Sequence, residues 1–105
     1  MATATSWLGR LKNLLARARS SETSRVEIEY DAGFGNRLYI RGEGALLSWE
    51  KGAPLTNTNA NHWTWETKAP FNSCRFKILI NDVQYEVGEN HTLTYGGTVR
   101  YKPNF

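Results

Sequence analysis

The sequence predicts an all-β fold, an antiparallel immunoglobulin-like β-sandwich of about seven strands, preceded by an N-terminal amphipathic α-helix. From residue 26 onward, apolar residues alternate with polar residues, which is the period of half-buried strands. Turn signals rich in Gly, Asn and Asp interrupt this alternation about every 8 to 12 residues. Before residue 26 the apolar spacing is three or four residues, as in a helix. We therefore divide the chain into a helix and linker over residues 1–25 and a β-sandwich over residues 26–105.

The helix predicted near the start of the chain has an apolar stripe on one face. This stripe comprises Trp7, Leu8, Leu11, Leu14, Leu15 and Ala18. Ser6 is a candidate N-cap, and the basic residues fall mostly on the opposite face. Residues 20–24 contain mainly Ser and Thr and are predicted to be a linker. We expect the stripe to pack on the sandwich, to self-associate or to dock a protein partner through residues 1–20, in preference to contacting a membrane.

The predicted strands follow the alternating pattern along the rest of the chain. In order they cover residues 26–30, 38–41, 63–65, 74–80, 84–87, 91–95 and 98–101. Within the strand over residues 74–80, Phe76, Ile78 and Ile80 share one face, so Lys77 is expected on the opposite, outward face. The Asn-rich stretch over residues 57–61 is predicted to be a polar loop.

The net charge of +3 does not indicate nucleic-acid binding. Residues 1–25 hold five Lys or Arg and one Glu, whereas residues 26–105 hold eight basic and nine acidic side chains. A domain that neutralises phosphates concentrates basic residues on one face, and the predicted sandwich has no such excess. Arg10 and Lys12 argue against a secretory signal, and no apolar run is long enough to span a membrane. Cys74 has no disulfide partner, so we expect a buried thiol and a reducing, cytoplasmic setting.

The sequence contains no recognised catalytic or metal-binding motif. It has no Gly-rich phosphate loop, no nucleophile with an evident base partner and no Cys/His cluster. His62 and His91 are too isolated to indicate a metal site. Paired carboxylates suffice for glycoside cleavage, but the candidate acidic residues lie in predicted loops of a domain that is small for surrounding a substrate. We therefore predict no enzymatic activity, no metal and no cofactor.

Aromatic residues that are exposed beside polar side chains are typical of proteins that bind sugars. The apolar face of a sugar lies against an aromatic ring, while the hydroxyls pair with Asn, Glu and Lys. Trp63 and Trp65 alternate within a predicted strand, and we expect them to pack in the core. Trp49 lies in a polar loop after Gly42 and Gly44, where it either covers the core or is exposed for binding.

Three segments of the sequence resemble a known family of carbohydrate-binding domains. Residues 42–55, GEGALLSWEKGAPL, resemble the part of starch-binding domains in which a strand ends in Gly, a turn that contains Trp follows, and a strand resumes at Ala/Pro-Leu. These domains form carbohydrate-binding module family 20, which is related to the glycogen-binding family 48. FKILI over residues 76–80 is similar to their Tyr-Lys-Phe strand, and YEVGEN over residues 85–90 resembles their Trp-Glu-x-Gly-x-Asn. The matches stand in the order of the family and span about residues 26–99.

The resemblance implies that the sandwich binds α-glucan (starch, glycogen or maltooligosaccharide) on one open surface. Trp49 and Tyr85 would be the stacking platforms, with Tyr85 at a position where the family usually has Trp. Lys77 and Glu86 would hydrogen-bond glucose hydroxyls, and Asn90 would do the same or brace the turn. The smaller ring of Tyr85 implies binding that is weaker by about 1 kcal/mol. No motif indicates a second sugar site.

The residues of this site can also be explained without a ligand. Lys77 suits a solvated face, and Glu86 can simply pair with it. We predict non-catalytic α-glucan binding by aromatic stacking and hydrogen bonds. The alternative is a β-sandwich protein-interaction module whose N-terminal helix docks a partner or a membrane.

Overall fold

A computed structural model describes residues 22–105, so the predicted N-terminal helix lies outside the described residues. Residues 22–105 form nine β-strands and no helix, which confirms the all-β prediction for this part of the chain. The strands are β1 (Ser24–Glu29), β2 (Leu38–Glu43), β3 (Ala53–Pro54), β4 (Thr56–Asn59), β5 (His62–Thr67), β6 (Cys74–Ile80), β7 (Gln84–Tyr85), β8 (His91–Leu93) and β9 (Thr98–Tyr101). No helix in this range is long and apolar enough to cross a membrane.

The strands are divided between two sheets. The four-stranded sheet has the order β4-β5-β1-β9. In the five-stranded sheet, β2 lies between β3 and β6, and β6 also pairs with β7 and β8. The chain thus contributes β1, β4, β5 and β9 to one sheet and the remaining strands to the other.

Strand direction differs from the prediction at one place. β1 and β9 are parallel, with Arg25 opposite Thr98 and Ile28 opposite Tyr101, whereas the other pairs are antiparallel. The prediction of a wholly antiparallel sandwich is therefore wrong for this pair. Alternation reports which side chains of a strand are buried but carries no information on strand direction, so the sequence pattern does not distinguish the two arrangements.

The inner faces of the two sheets contribute to one hydrophobic core. Val26 and Ile28 of β1 are fully buried, as are Ile40 of β2 and Phe76 and Ile78 of β6. Each of these residues has a more exposed neighbour, as the sequence predicts, but the alternation in β6 ends at Ile78, where the next residue, Leu79, is also fully buried. Burial of an Ile or Phe side chain stabilises a fold by about 1.5–3 kcal/mol, so this core supplies much of the stability that holds the outer surfaces in place.

The two tryptophans of β5 pack in or against the core, as expected. Trp63 is 6% exposed, and its indole N–H donates a hydrogen bond to the backbone carbonyl of Tyr30 at 3.0 Å. Trp65 is partly buried and packs against the same core. In the register of β1 and β5, Trp63 lies opposite Ile28 and Trp65 lies opposite Val26.

The alternating pattern of the sequence predicts neither β3 nor β4, although the resemblance to starch-binding domains implies a strand where β3 lies. β4 overlaps the stretch predicted as a polar loop, and all four of its residues are exposed. β4 is an edge strand that pairs with β5, and its register shifts between Asn57 and Asn59. Because neither face of β4 is buried, its sequence has no apolar alternation from which a strand could be predicted.

Candidate functional site

The outer face of the five-stranded sheet carries aromatic and basic side chains in two rows. Leu38 and Ile40 face the core, so Tyr39 and Arg41 of the same strand face outward. In the sheet register, Tyr39 lies opposite Leu79 and Leu79 lies opposite Tyr85, which makes one row across β2, β6 and β7.

Arg41 and Lys77 form the second row on this outer face. Lys77 is therefore on the face opposite Phe76 and Ile78, as its place in the alternating pattern predicts. Its side chain is half-buried, and its ammonium group donates a hydrogen bond to the backbone carbonyl of Glu86 at 3.3 Å.

Trp49 lies in the loop over residues 44–52, which connects β2 to β3. The residue is partly buried, between the two alternatives that the sequence leaves open. The Ser48 hydroxyl accepts a hydrogen bond from the backbone N–H of Glu50 at 3.0 Å, which closes a local turn around Trp49. The backbone carbonyl of Trp49 accepts a hydrogen bond from the Arg41 guanidinium at 3.2 Å.

The Arg41 guanidinium connects the Trp49 loop to Tyr85. The same terminal nitrogen that bonds the Trp49 carbonyl lies 3.4 Å from the Tyr85 hydroxyl, and the guanidinium carbon is 5.8 Å from the centre of the Tyr85 ring. Tyr85 itself is 42% exposed. One guanidinium on the outer face therefore contacts both predicted stacking residues, Trp49 through its backbone carbonyl and Tyr85 through its hydroxyl.

Asp82 completes this arrangement from the turn between β6 and β7. Asn81 and Asp82 both have positive φ, at 54° and 57°, in a turn closed by the hydrogen bond from the Val83 N–H to the Ile80 carbonyl. Two successive left-handed residues suit the tight reversal of a hairpin, and Asn and Asp tolerate this conformation. The Asp82 carboxylate accepts hydrogen bonds from Arg41 at 2.7 Å and from the backbone N–H of Gly52.

The charges of Arg41 and Asp82 stabilise each other. The hydrogen bond from Arg41 holds the pKa of the Asp82 carboxyl below its ordinary value, and the Gly52 N–H acts in the same direction. The hydrogen bond to Asp82 in turn raises the pKa of the Arg41 guanidinium. Both groups are therefore charged at neutral pH, and their ion pair is a fixed part of this surface.

Glu86 does not lie on the outer face. Its side chain is only 3% exposed, because a residue next to the outward-facing Tyr85 points inward. Its carboxylate accepts hydrogen bonds from the Ile78 N–H at 2.6 Å, the Tyr101 hydroxyl at 2.6 Å and the His91 ring at 2.8 Å. The implied role of Glu86 as a ligand for glucose hydroxyls on the open surface therefore does not agree with its position. Alternation alone could have given this result, since Tyr85 and Glu86 cannot both face the same ligand.

The carboxylate of Glu86 joins the two sheets. His91 belongs to β8 of the five-stranded sheet and Tyr101 to β9 of the other, and their ring centres are 4.1 Å apart. Burial and the hydrogen bond to the nearby carboxylate raise the pKa of Tyr101 above its ordinary value of 10.0. The hydroxyl therefore remains a donor to Glu86 throughout the neutral range. No sequence pattern indicates this role for His91 or Tyr101, because it depends on contacts between strands of different sheets.

Asn90, the last predicted site residue, is exposed and directly precedes β8. Two further residues belong to the surface although the sequence analysis did not assign them to it, namely Arg41 and Asp82. Their signal in the sequence is weak, because an Arg on the outer face of a strand and an Asp in a turn are both ordinary.

A separate groove of about 470 Å³ lies between the loop after β1 and the β4–β5 hairpin. Its lining includes Phe34, Arg37, Pro54, Asn57 and Trp63. Phe34 is fully exposed at the tip of its loop. Residues 31–36 contain Gly33 and Gly35 and predict only a turn, so the groove has no signal in the sequence.

No protein-family model matches the chain, and no curated protein matches it. Among residues 22–105, no three His, Cys, Asp or Glu side chains are close enough to hold a metal ion. The outer face carries the Tyr85 ring, 42% exposed, and the half-buried Lys77, with the partly buried Trp49 in the adjoining loop. The charges of Arg41 and Asp82 are paired with each other.

Proposed function

We propose that this chain is a non-catalytic α-glucan-binding module. The observation that carries the proposal is the position of Arg41, whose guanidinium contacts both the Trp49 carbonyl and the Tyr85 hydroxyl. Two aromatic residues that are 36 positions apart in the sequence thereby contact one guanidinium on the outer face of one sheet. This arrangement supports a surface on which consecutive glucose units of one chain stack.

The proposed ligand contacts are those of an open surface. Trp49 and Tyr85 provide rings for the apolar faces of glucose, and Lys77 donates hydrogen bonds to hydroxyls from the adjacent row. Asn90 is exposed and available to do the same. Glu86 acts indirectly in this proposal, since its backbone carbonyl holds the Lys77 ammonium and its carboxylate is engaged in the interior.

Binding of this kind is weak. One or two stacking contacts and a few hydrogen bonds to a flexible glucan correspond to a dissociation constant of about 10 μM to 1 mM. We assign the two sheets to the immunoglobulin-like type of sandwich, and the chain to the cytoplasm, as parts of the same proposal.

The proposal is tested by titration with maltoheptaose or β-cyclodextrin, followed by tryptophan fluorescence and by calorimetry. Wild type is expected to bind with an affinity in the stated range. Trp49→Ala and Tyr85→Ala are expected to abolish measurable binding, because each removes one of the two platforms. Lys77→Ala is expected to weaken binding about tenfold, which corresponds to one charge-assisted hydrogen bond.

Leu46→Ala is the matched control for these variants. Leu46 belongs to the same loop as Trp49 and is 91% exposed, so its truncation removes apolar surface without touching the proposed platforms. We expect it to bind like wild type. Absence of measurable binding by wild type in both assays would overturn the proposal and favour the alternative of a protein-interaction module.

A further inference from the structure

The loop that carries Trp49 and the hairpin that carries Tyr85 are not hydrogen-bonded to each other as strands. β3, which follows the loop, pairs with β2, whereas β7 pairs with β6. The two segments are connected instead by hydrogen bonds that the Arg41 side chain donates and that the Asp82 carboxylate accepts. Together with the backbone hydrogen bond from the Gly42 N–H to the Ser48 carbonyl, these two side chains therefore set the position of the Trp49 backbone relative to Tyr85.

Arg41 binds both segments through a geometry that suits a guanidinium. Its Nε and one terminal nitrogen contact the carboxylate and the backbone carbonyl of Asp82, at 2.7 and 2.9 Å. Its other terminal nitrogen contacts the Trp49 carbonyl and the Tyr85 hydroxyl. A planar fork with five N–H donors can serve these four acceptors at once, whereas the single ammonium of a lysine cannot.

Gly52 connects the other end of the Trp49 loop to the same carboxylate. Its N–H lies 3.1 and 3.2 Å from the two carboxylate oxygens of Asp82. A Cβ atom at position 52 would lie 2.3 Å from an Asp82 oxygen and 2.9 Å from the Tyr39 Cβ, so a larger residue would displace the carboxylate. The loop is thus held at Trp49 by Arg41 and at Gly52 by Asp82.

We infer that Arg41 and Asp82 are positioning residues that set the spacing of Trp49 and Tyr85 and thereby the affinity for a glucan chain. This inference rests on the proposed function. The Arg41 side chain is 18% exposed, and its hydrogen bonds are directed at the protein, so it acts through the two rings rather than on the ligand. Fixing the rings before binding avoids the cost of ordering the loop when the glucan arrives.

The test compares wild type with Arg41→Met, Arg41→Lys and Asp82→Asn. Each variant is titrated with maltoheptaose at neutral pH after circular dichroism and urea unfolding have shown that it is folded. Arg41→Met and Asp82→Asn are expected to weaken binding about two- to thirtyfold, the range for residues that act through a coupled network. Arg41→Lys is expected to weaken binding as much as Arg41→Met, because the charge is kept and the fork is lost.

Arg25→Met is the matched control. Arg25 is also a strand arginine paired with a carboxylate, that of Glu66 at 3.2 Å, but it lies in the four-stranded sheet. This variant is expected to keep wild-type affinity. Wild-type affinity in Arg41→Met and Asp82→Asn, or full recovery of affinity in Arg41→Lys, would overturn the positioning role.

Hydrogen exchange at the Gly52 amide separates this inference from the proposed function, because it needs no ligand. Arg41→Met and Asp82→Asn are expected to exchange this amide at least about tenfold faster than wild type and Arg25→Met. If wild type does not bind maltoheptaose, the proposed function fails, and this exchange rate alone decides the positioning role. Equal exchange in all four proteins would overturn that role.

Discussion

Replacement of Tyr101 by Phe should destabilise the fold through the buried carboxylate of Glu86. The substitution removes the hydroxyl that donates to Glu86 at 2.6 Å, while the ring that lies 4.1 Å from His91 remains. Loss of one hydrogen-bond partner of a buried polar group costs about 1–3 kcal/mol, and Glu86 keeps its bonds from the Ile78 N–H and from His91. We therefore expect the free energy of unfolding to fall by about 2 kcal/mol, or the melting temperature to fall by about 8–16 °C.

Urea unfolding followed by tryptophan fluorescence measures this change. The dependence of the unfolding free energy on urea concentration should be unchanged, since the surface that unfolding exposes is the same. Tyr95→Phe is the control, because the Tyr95 hydroxyl accepts an exposed hydrogen bond from the Glu22 N–H at 2.8 Å and its ring packs edge-on against Phe71. A Tyr101→Phe variant no less stable than Tyr95→Phe would refute the assignment of Glu86 as an interior link between the sheets.

Three further predictions concern other parts of the fold. Because the pKa of Asp82 is lowered in the folded state, its contribution to stability is present above the ordinary value of 3.8 and is lost as pH falls through the lower folded value. Urea unfolding at several pH values should show that wild type is more stable than Asp82→Asn at neutral pH and that the two stabilities converge in acid. A difference in stability that does not change with pH would contradict this. Burial raises the pKa of the Cys74 thiol to about 11, so Cys74 should resist iodoacetamide at pH 8 in the native protein and react in urea, as mass spectrometry would report. Gly42→Ala would place a Cβ 2.2 Å from the Arg75 carbonyl oxygen and 3.0 Å from the Phe76 Cα, both of which are backbone atoms. It should therefore lower the free energy of unfolding by about 2 kcal/mol or more. Wild-type stability in this variant would show that β2 and β6 are not so close.

The sequence predicts those strands in which apolar and polar residues alternate. β6 and β9 have the predicted limits, and the core positions of Trp63 and Trp65 follow from their period. β4 could not be predicted, because its exposed Thr and Asn residues give no apolar signal. The parallel pairing of β1 and β9 also has no signature in the alternation of either strand.

The candidate site is predictable to a smaller extent. The outward position of Lys77 follows from the alternation around it. The inward position of Glu86 follows from the same alternation, because adjacent residues of a strand face opposite sides and Tyr85 faces outward. The roles of Arg41 and Asp82 depend on side chains 41 residues apart in sequence, which no local pattern brings together. Such pairings arise from the register of β2 on β6 and from the turn that follows β6.

The pairing of β1 with β9 has a consequence for how the protein is made. The ion pair between Glu27 and Arg100 joins residues that are 73 positions apart, so β9 can pair with β1 only after the residues between them have been synthesised. Closure of so long a loop delays folding, and until then β1 presents an open edge on which a foreign strand can pair. This edge becomes protected when residues 98–101 dock.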